Sequence, residues 1–342
     1  MVLYPKETGQ FISKHSKNVK ISPDGIQQLG KMLISTMLKN DDILKSNFCE
    51  ESLHPKPNEP WTIDWIFVID TLNFCFWTPK NELNGKSEWT VNGYVGYFAL
   101  CAAINRAMEE NIDILNPNYY SKITEEQLSY ILRPDENCAT VPLLKERTNC
   151  LHEVGTILMQ EFNSTFKTCL EMANGSAMKL LEIIVTNFEC FRDESQFNGY
   201  QISFYKRAQI LVADIWSCFY LNCSEDNFLS KLVNFYDIDQ ITMFADYRVP
   251  QILNYFNVLE YSPELLNTLN EKQILMPGSN LEIEIRGCSI EAIEQLKNWL
   301  KTEKPDIVIN SILLDQYLWD LRRKINHKLQ EVPFHQVISI YY

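Results

Sequence analysis

From residue 119 to residue 324 one signal recurs: apolar residues at helical spacing, interrupted by capping residues. A chain written this way folds as packed helices, because each apolar stripe has to be buried against another element. Thr124 with Gln127 three positions later fits a capping box. Leu143–Phe162 and Met178–Phe188 hold the helical period, the second after a break at Asn174-Gly175-Ser176. Phe204–Phe219 does the same after a loop containing Asn198-Gly199. Ser262-Pro263-Glu264 supplies a cap, a proline and a first-turn acid. Ser289 opens another helix through Ile290, Ile293, Leu296 and Leu300, and Ser311–Lys324 has Leu314, Leu318 and Leu321 as its core stripe.

The first third is less uniform. Ser22-Pro23-Asp24 predicts a helix through Met37. Residues 61–77, W-T-I-D-W-I-F-V-I-D-T-L-N-F-C-F-W, are the most aromatic and β-branched run and predict a buried strand or tightly packed core. Asn92-Gly93 is a hairpin signal. Gly96–Met108 reads as an almost wholly apolar helix, with Ala99, Ala102 and Ala103 allowing close packing. L-E-I-E-I at 281–285 alternates, and the apolar tail V-I-S-I-Y-Y is expected to be tucked in. No repeat or low-complexity linker divides the chain. The expectation is one compact, mainly α domain over 1–342, with short strands near 63–77, 89–94 and the C-terminus.

Composition removes several classes of function. With 46% hydrophobic and 22% charged residues, the 342-residue chain is globular and long enough for a sizeable core. A net charge of −13 opposes general affinity for nucleic acid, though not a small basic pocket for one phosphate. The ten cysteines form no C-x-x-C pair and no zinc spacing, and several sit in apolar runs as small buried hydrophobes. Reduced thiols point to a cytoplasmic setting, or a nuclear one. No apolar stretch approaches a membrane span. G-x-G-x-x-G, P-loop and G-x-S-x-G patterns are all missing, which disfavours nucleotide-cofactor enzymes and serine hydrolases.

The densest functional chemistry lies at Asp239–Gln251, where Phe244, Asp246, Tyr247 and Arg248 precede Pro250. Pro250 disfavours helical geometry at Val249, so a turn is expected there, with a new helix after it. Polar groups beside such a turn can project into a cleft; the alternative is an acidic helix end over a packed tyrosine. Asp70 interrupts an apolar run and is either a structural hydrogen-bond hub or a site residue. Asp214 shares a helical stripe with Arg207, Ile210 and Leu211; it either anchors a neighbouring loop or serves the site. Asp315 and Trp319 lie one turn apart with Arg322 and Arg323 close by, which suits a planar hydrogen-bonding ligand or an exposed ion-pair face. His54 lies in the proline-rich loop H-P-K-P-N-E-P.

Six blocks taken in order resemble the queuosine-salvage family of queuosine 5′-phosphate N-glycosylases (hydrolases): F-V-I-D-T-L-N-F-C-F-W (67–77), G-Y-F-A-L-C-A-A-I-N-R-A (96–107), F-Y-K-R-A-Q-I-L-V-A-D-I-W (204–216), T-M-F-A-D-Y-R-V-P-Q (242–251), E-I-R-G-C-S (284–289) and S-I-L-L-D-Q-Y-L-W-D (311–320). The resemblance spans essentially the whole chain. It implies a mostly helical fold similar to helix-hairpin-helix DNA glycosylases, and cleavage of queuosine 5′-monophosphate into queuine and ribose 5-phosphate. It also implies Asp246 as the carboxylate beside the anomeric carbon, with Asp214 as the alternative. Phe244 and Trp319 would sandwich the base, and Asp315 and Asp320 would accept from its N–H groups. Lys206, Arg207 and Arg248 are candidates for the 5′-phosphate, and His54 matches the family's loop histidine. No metal or organic cofactor is called for, the partner is a small molecule rather than nucleic acid or membrane, and oligomeric state is left open. The competing reading is a non-catalytic binder of a modified nucleoside or of tRNA.

Overall fold

In the computed structural model, which describes residues 2–38, 48–220 and 228–342, the periodic segments become fifteen α-helices among the described residues. Three two-stranded antiparallel sheets accompany them. The caps act where the sequence predicts. Ser22 accepts from Gly25 N at the head of Pro23–Met37, and Ser262 from Leu265 N at the head of Pro263–Asn270. Thr124 and Gln127 close both halves of a capping box before Glu125–Ile131. Asn92-Gly93 joins Thr90–Val91 to Tyr94–Val95 with φ of 52° and 78°, the geometry of a two-residue hairpin turn. Asn198-Gly199, expected only as a loop, turns a second hairpin between Glu194–Phe197 and Tyr200–Ser203. Cys223 lies outside the described residues.

The structure corrects three expectations. The 61–77 run is not a strand; Thr62–Leu72 is a helix. Trp65, Phe67 and Leu72 are each fully buried, and Ile66, Val68 and Ile69 nearly so. With no exposed face, no polar stripe marks the helical period, and β-branched content then reflects burial rather than strand pairing. Truncating Phe67 to alanine would cost about 3–5 kcal/mol. Secondly, L-E-I-E-I and the helix expected from Ser289 are one element, Asn280–Glu303. The two acids of L-E-I-E-I are buried but partnered: Glu284 accepts the N–H groups of Lys17 (3.0 Å) and Asn18 (2.6 Å), and Glu282 accepts the Tyr342 hydroxyl (2.6 Å). Gly287 permits the Pro5–His15 helix to lie close, since a Cβ there would stand 2.4 Å from Ile12 Cδ1. Thirdly, the C-terminal segment forms one isolated bridge, Ile274 to Gln336, rather than a strand. Its last residue, Tyr342, is nevertheless buried, as expected of an apolar tail.

Leaving Thr62–Leu72, the chain exposes carbonyls that the helix cannot pair. Two buried arginines take them up. Arg147 donates to the carbonyls of Leu72 (2.5 Å), Phe74 (2.5 Å) and Cys75 (3.0 Å). Arg207 donates to those of Thr71 (2.6 Å), Asp70 (3.3 Å) and Cys190. Both guanidiniums also lie on the Phe74 ring, at 4.3 and 4.9 Å.

Two hydrophobic clusters result. One gathers Thr62–Leu72, Tyr97–Glu109, Leu144–Glu161, Ala177–Asn187 and Lys206–Phe219; the other gathers Pro5–His15, Pro23–Met37, Arg248–Tyr255 and most of Asn280–Glu303. The 241–247 segment threads between them: Ile241 and Phe244 pack into the first, Met243, Ala245 and Tyr247 into the second. Among the described residues no helix is long and apolar enough to cross a membrane.

Candidate active site

Two cavities stand out. The larger, about 350 Å³, is lined by Trp216, Phe235 and Leu313 among others and bears the exposed Lys301–Asp239 pair at 3.5 Å. The smaller, about 150 Å³, lies against the 241–247 segment and gathers nearly all the predicted chemistry. Chemistry rather than volume selects the second.

Three elements deliver its side chains. The helix Lys206–Phe219 presents Lys206, Ile210 and Asp214 at i, i+4 and i+8, which is one face. The helix Ser311–Lys324 presents Asp315, Gln316, Trp319 and Asp320. Between them, the irregular segment supplies Phe244 and Asp246. Asp246 Oδ1 accepts the N–H groups of Arg248 (2.8 Å) and Val249 (3.0 Å), so it caps the helix Arg248–Tyr255. The break therefore falls at Asp246–Tyr247, not at Val249. Pro250 sits inside the first helical turn, where its missing N–H costs nothing. Asp315 Oδ1 accepts Phe244 N at 3.0 Å and so locks the irregular segment to the third element.

In the lining, the carboxyl groups of Glu51, Asp214, Asp246, Asp315 and Asp320 meet a single ammonium, Lys206. Such crowding cannot be fully ionised. Burial, reinforced by Asp70 and Asp315, holds the Asp214 carboxyl well above the usual range. Burial and Asp246 do the same to Asp315, against the opposing Phe244 hydrogen bond and Lys206. Burial therefore favours the protonated form of both. Asp214 keeps some accessible surface, which opens on the cavity. Behind it, Asp70 is fully buried with Oδ2 unpartnered, and burial pushes it up to about 7. Burial also brings Lys206 down to about 8, with Asp246 opposing that shift most strongly. Its Nζ donates to the Asn73 carbonyl at 3.3 Å.

His54 forms part of the opposite wall. Its Nδ1 lies 3.0 Å from the Phe48 carbonyl, which only accepts, so Nδ1 bears the proton. Nε2 must then accept from the Tyr97 hydroxyl at 3.0 Å. Burial lowers the imidazole to about 4, keeping it neutral. Phe98 leans on Trp319 at 5.9 Å, and Arg323, paired with Asp320 at 3.6 Å, lies over the Phe98 ring.

Of the candidates read from sequence, His54, Lys206, Asp214, Phe244, Asp246, Asp315, Trp319 and Asp320 line this cavity together. Arg207 and Arg248 do not. Arg207 follows Lys206, and one helical step of roughly 100° turns it from the cavity to the carbonyls of the neighbouring helix end. Arg248 lies over the rings of Tyr247 (4.7 Å) and Phe334 (5.8 Å). Sequence reasoning missed Tyr97, Phe98, Glu51 and Gln316 as lining residues; Tyr97 and Phe98 were read only as the start of an apolar helix. Asn73 also lines the cavity.

Among the described residues the cleft thus combines aromatic walls, several acids, of which Asp214 and Asp315 are raised by burial, and one lysine. A family model described as "Queuosine salvage protein" matches residues 53–342. The chain belongs to that family. A relative from Bos taurus named queuosine 5′-phosphate N-glycosylase/hydrolase is 40% identical, with 100% of this chain and 99% of the relative covered. Relatives of the same name from Schizosaccharomyces pombe (34%, covering 98% and 99%) and Sphaerobacter thermophilus (33%, covering 85% and 84%) are also similar.

Proposed function

We propose that this chain hydrolyses the N-glycosidic bond of queuosine 5′-monophosphate, releasing queuine and ribose 5-phosphate. The names of its relatives support the substrate, and the observation that carries the chemistry is the gathering in one cleft of Asp246 with Asp214 and Asp315, whose carboxyls burial holds well above the usual range. N-glycoside cleavage needs negative charge beside a developing oxocarbenium, a base for water, and a proton for the departing nitrogen base. Asp246 supplies the first two: Oδ1 is held by two backbone N–H groups, and Oδ2 takes no hydrogen bond from the described residues. A carboxyl group that burial pushes upward is suited to supply the third, and Asp214 and Asp315 are both raised in this way.

Phe244 and Trp319 grip the flat base, while Asp315 and Asp320 face its N–H donors. Lys206 is the cation inside the lining, so it and Arg248, just outside, are the groups proposed for the 5′-phosphate. The chain acts as one domain over 1–342, since the site draws on both hydrophobic clusters. The described cysteines form no disulfide with one another, which supports a cytoplasmic setting. The direct test is incubation with queuosine 5′-monophosphate followed by chromatography. Stoichiometric binding with no queuine released overturns the proposal.

A further inference from the structure

We propose that Arg286, outside the cleft, is a positioning residue that sets the separation of Lys206 and Asp246 in its lining. The inference rests on the reading of the cleft as the hydrolytic site. Arg286 lies within the Asn280–Glu303 helix and is 3% exposed. Its Nη1 and Nη2 grip Asp193 Oδ1 at 3.0 Å and Oδ2 at 2.5 Å. Asp193 in turn builds the turn that delivers Lys206. Its carbonyl accepts Phe204 N (2.9 Å) and Tyr205 N (3.4 Å), and its Oδ2 accepts Lys206 N (3.2 Å). Tyr205 has φ +47°, a left-handed conformation that is strained for a side-chain-bearing residue and needs surrounding bonds to hold it.

The remaining donor, Arg286 Nε, reaches the Ala245 carbonyl at 3.0 Å, immediately before Asp246. One guanidinium thus ties together the backbone of two segments that line the cleft. Nη1 also meets Glu282 at 3.2 Å, and the group lies 4.0 Å from the Phe204 ring centre. Only a planar fork with five donors can serve two carboxylates and a carbonyl at once. Stability alone is a poor reason for such a cluster, because buried ion pairs are often replaceable by apolar residues without loss.

Arg286→Lys keeps the charge but cannot span the three acceptors. The two readouts are kcat and KM on queuosine 5′-monophosphate, and the titration of Lys206 in ligand-free protein followed by NMR with isotope-labelled lysine. The charged groups facing that ammonium are Asp246, Asp70, Asp315, Arg207 and Arg286 itself. With charge conserved at 286, any shift reports geometry. The expected result is kcat lower by ~10- to 100-fold with KM little changed, and Lys206 titrating at lower pH as it draws away from Asp246. Folded Arg286→Lys with parental kcat and an unmoved Lys206 titration overturns the proposal. If that variant does not fold, Asp193→Asn, which keeps the shape of the acceptor, is read in the same two ways. If the parent protein releases no queuine, the hydrolytic reading fails, while the Lys206 titration still decides whether Arg286 positions it.

Discussion

Replacing Asp246 with asparagine separates the two roles of that side chain. Its Oδ1 caps a helix through Arg248 N and Val249 N at 2.8 and 3.0 Å, and an amide oxygen accepts both bonds equally well. The lost charge gives up about 0.3–1 kcal/mol of interaction with the helix N-terminus. It also relieves Asp315, whose raised pKa owes part of its shift to Asp246. These effects oppose each other, so net stability should move by no more than ~1 kcal/mol, and Tm by at most about 4 °C. Turnover is different. Removing a general base costs ~10²–10⁴-fold, or about 2.7–5.4 kcal/mol at 1.36 kcal/mol per decade. The variant should fold and bind queuosine 5′-monophosphate by calorimetry, yet release queuine at least ~100-fold more slowly by chromatography. Asp214→Asn is the companion. Burial raises the Asp214 carboxyl well above the usual range and so favours the protonated form that an amide mimics; this swap should leave Tm close to that of the parent. Near-normal turnover in folded Asp246→Asn, with activity abolished in folded Asp214→Asn, refutes the reasoning. The water-activating role would then pass to Asp214.

Three further outcomes are expected. The 5′-monophosphate should exceed the unphosphorylated nucleoside in kcat/KM by about ten- to a hundredfold, the worth of one charge-assisted contact at roughly 1.5–3 kcal/mol; equal values would remove the phosphate site. Because Lys206 titrates at about 8, its ammonium is lost as pH rises through that value. The alkaline limb of kcat/KM should fall there in the parent and vanish in Lys206→Met, and a limb that persists assigns it to another group. Asp70 binds its proton more tightly when folded, at about 7 against 3.8 unfolded, so it subtracts stability as pH rises through that window, by on the order of 4 kcal/mol once fully ionised. Asp70→Asn should therefore flatten the fall in Tm between pH 5 and pH 8, and an unchanged slope by calorimetry rejects it.

What could be read from the chain alone was the local chemistry. Ser22, Thr124 and Ser262 start helices because a cap reaches only two or three residues ahead, and Asn92-Gly93 makes a hairpin turn because φ is positive at both residues. Interactions of such short range are written into neighbouring letters. The family resemblance named most of the cleft in the same way, through blocks of adjacent residues.

Tertiary packing decided the rest. The 61–77 run concealed its helix because burial on every side erased the polar stripe that reveals a period. Lys206 and Arg207 are neighbours with the same charge, yet one lines the cleft and the other is consumed by carbonyls more than 130 positions away in the sequence. That division follows from which element packs on each face of the helix. Tyr97 meets His54 across 43 residues, and Arg286 meets Asp193 across 93. The protonation of Asp214 and Asp315 depends on burial together with carboxylates that other elements bring near. Caps, turns and family identity are local properties of this chain; the charge state and geometry of its site belong to the fold, because they are set by distances between segments that only packing brings together.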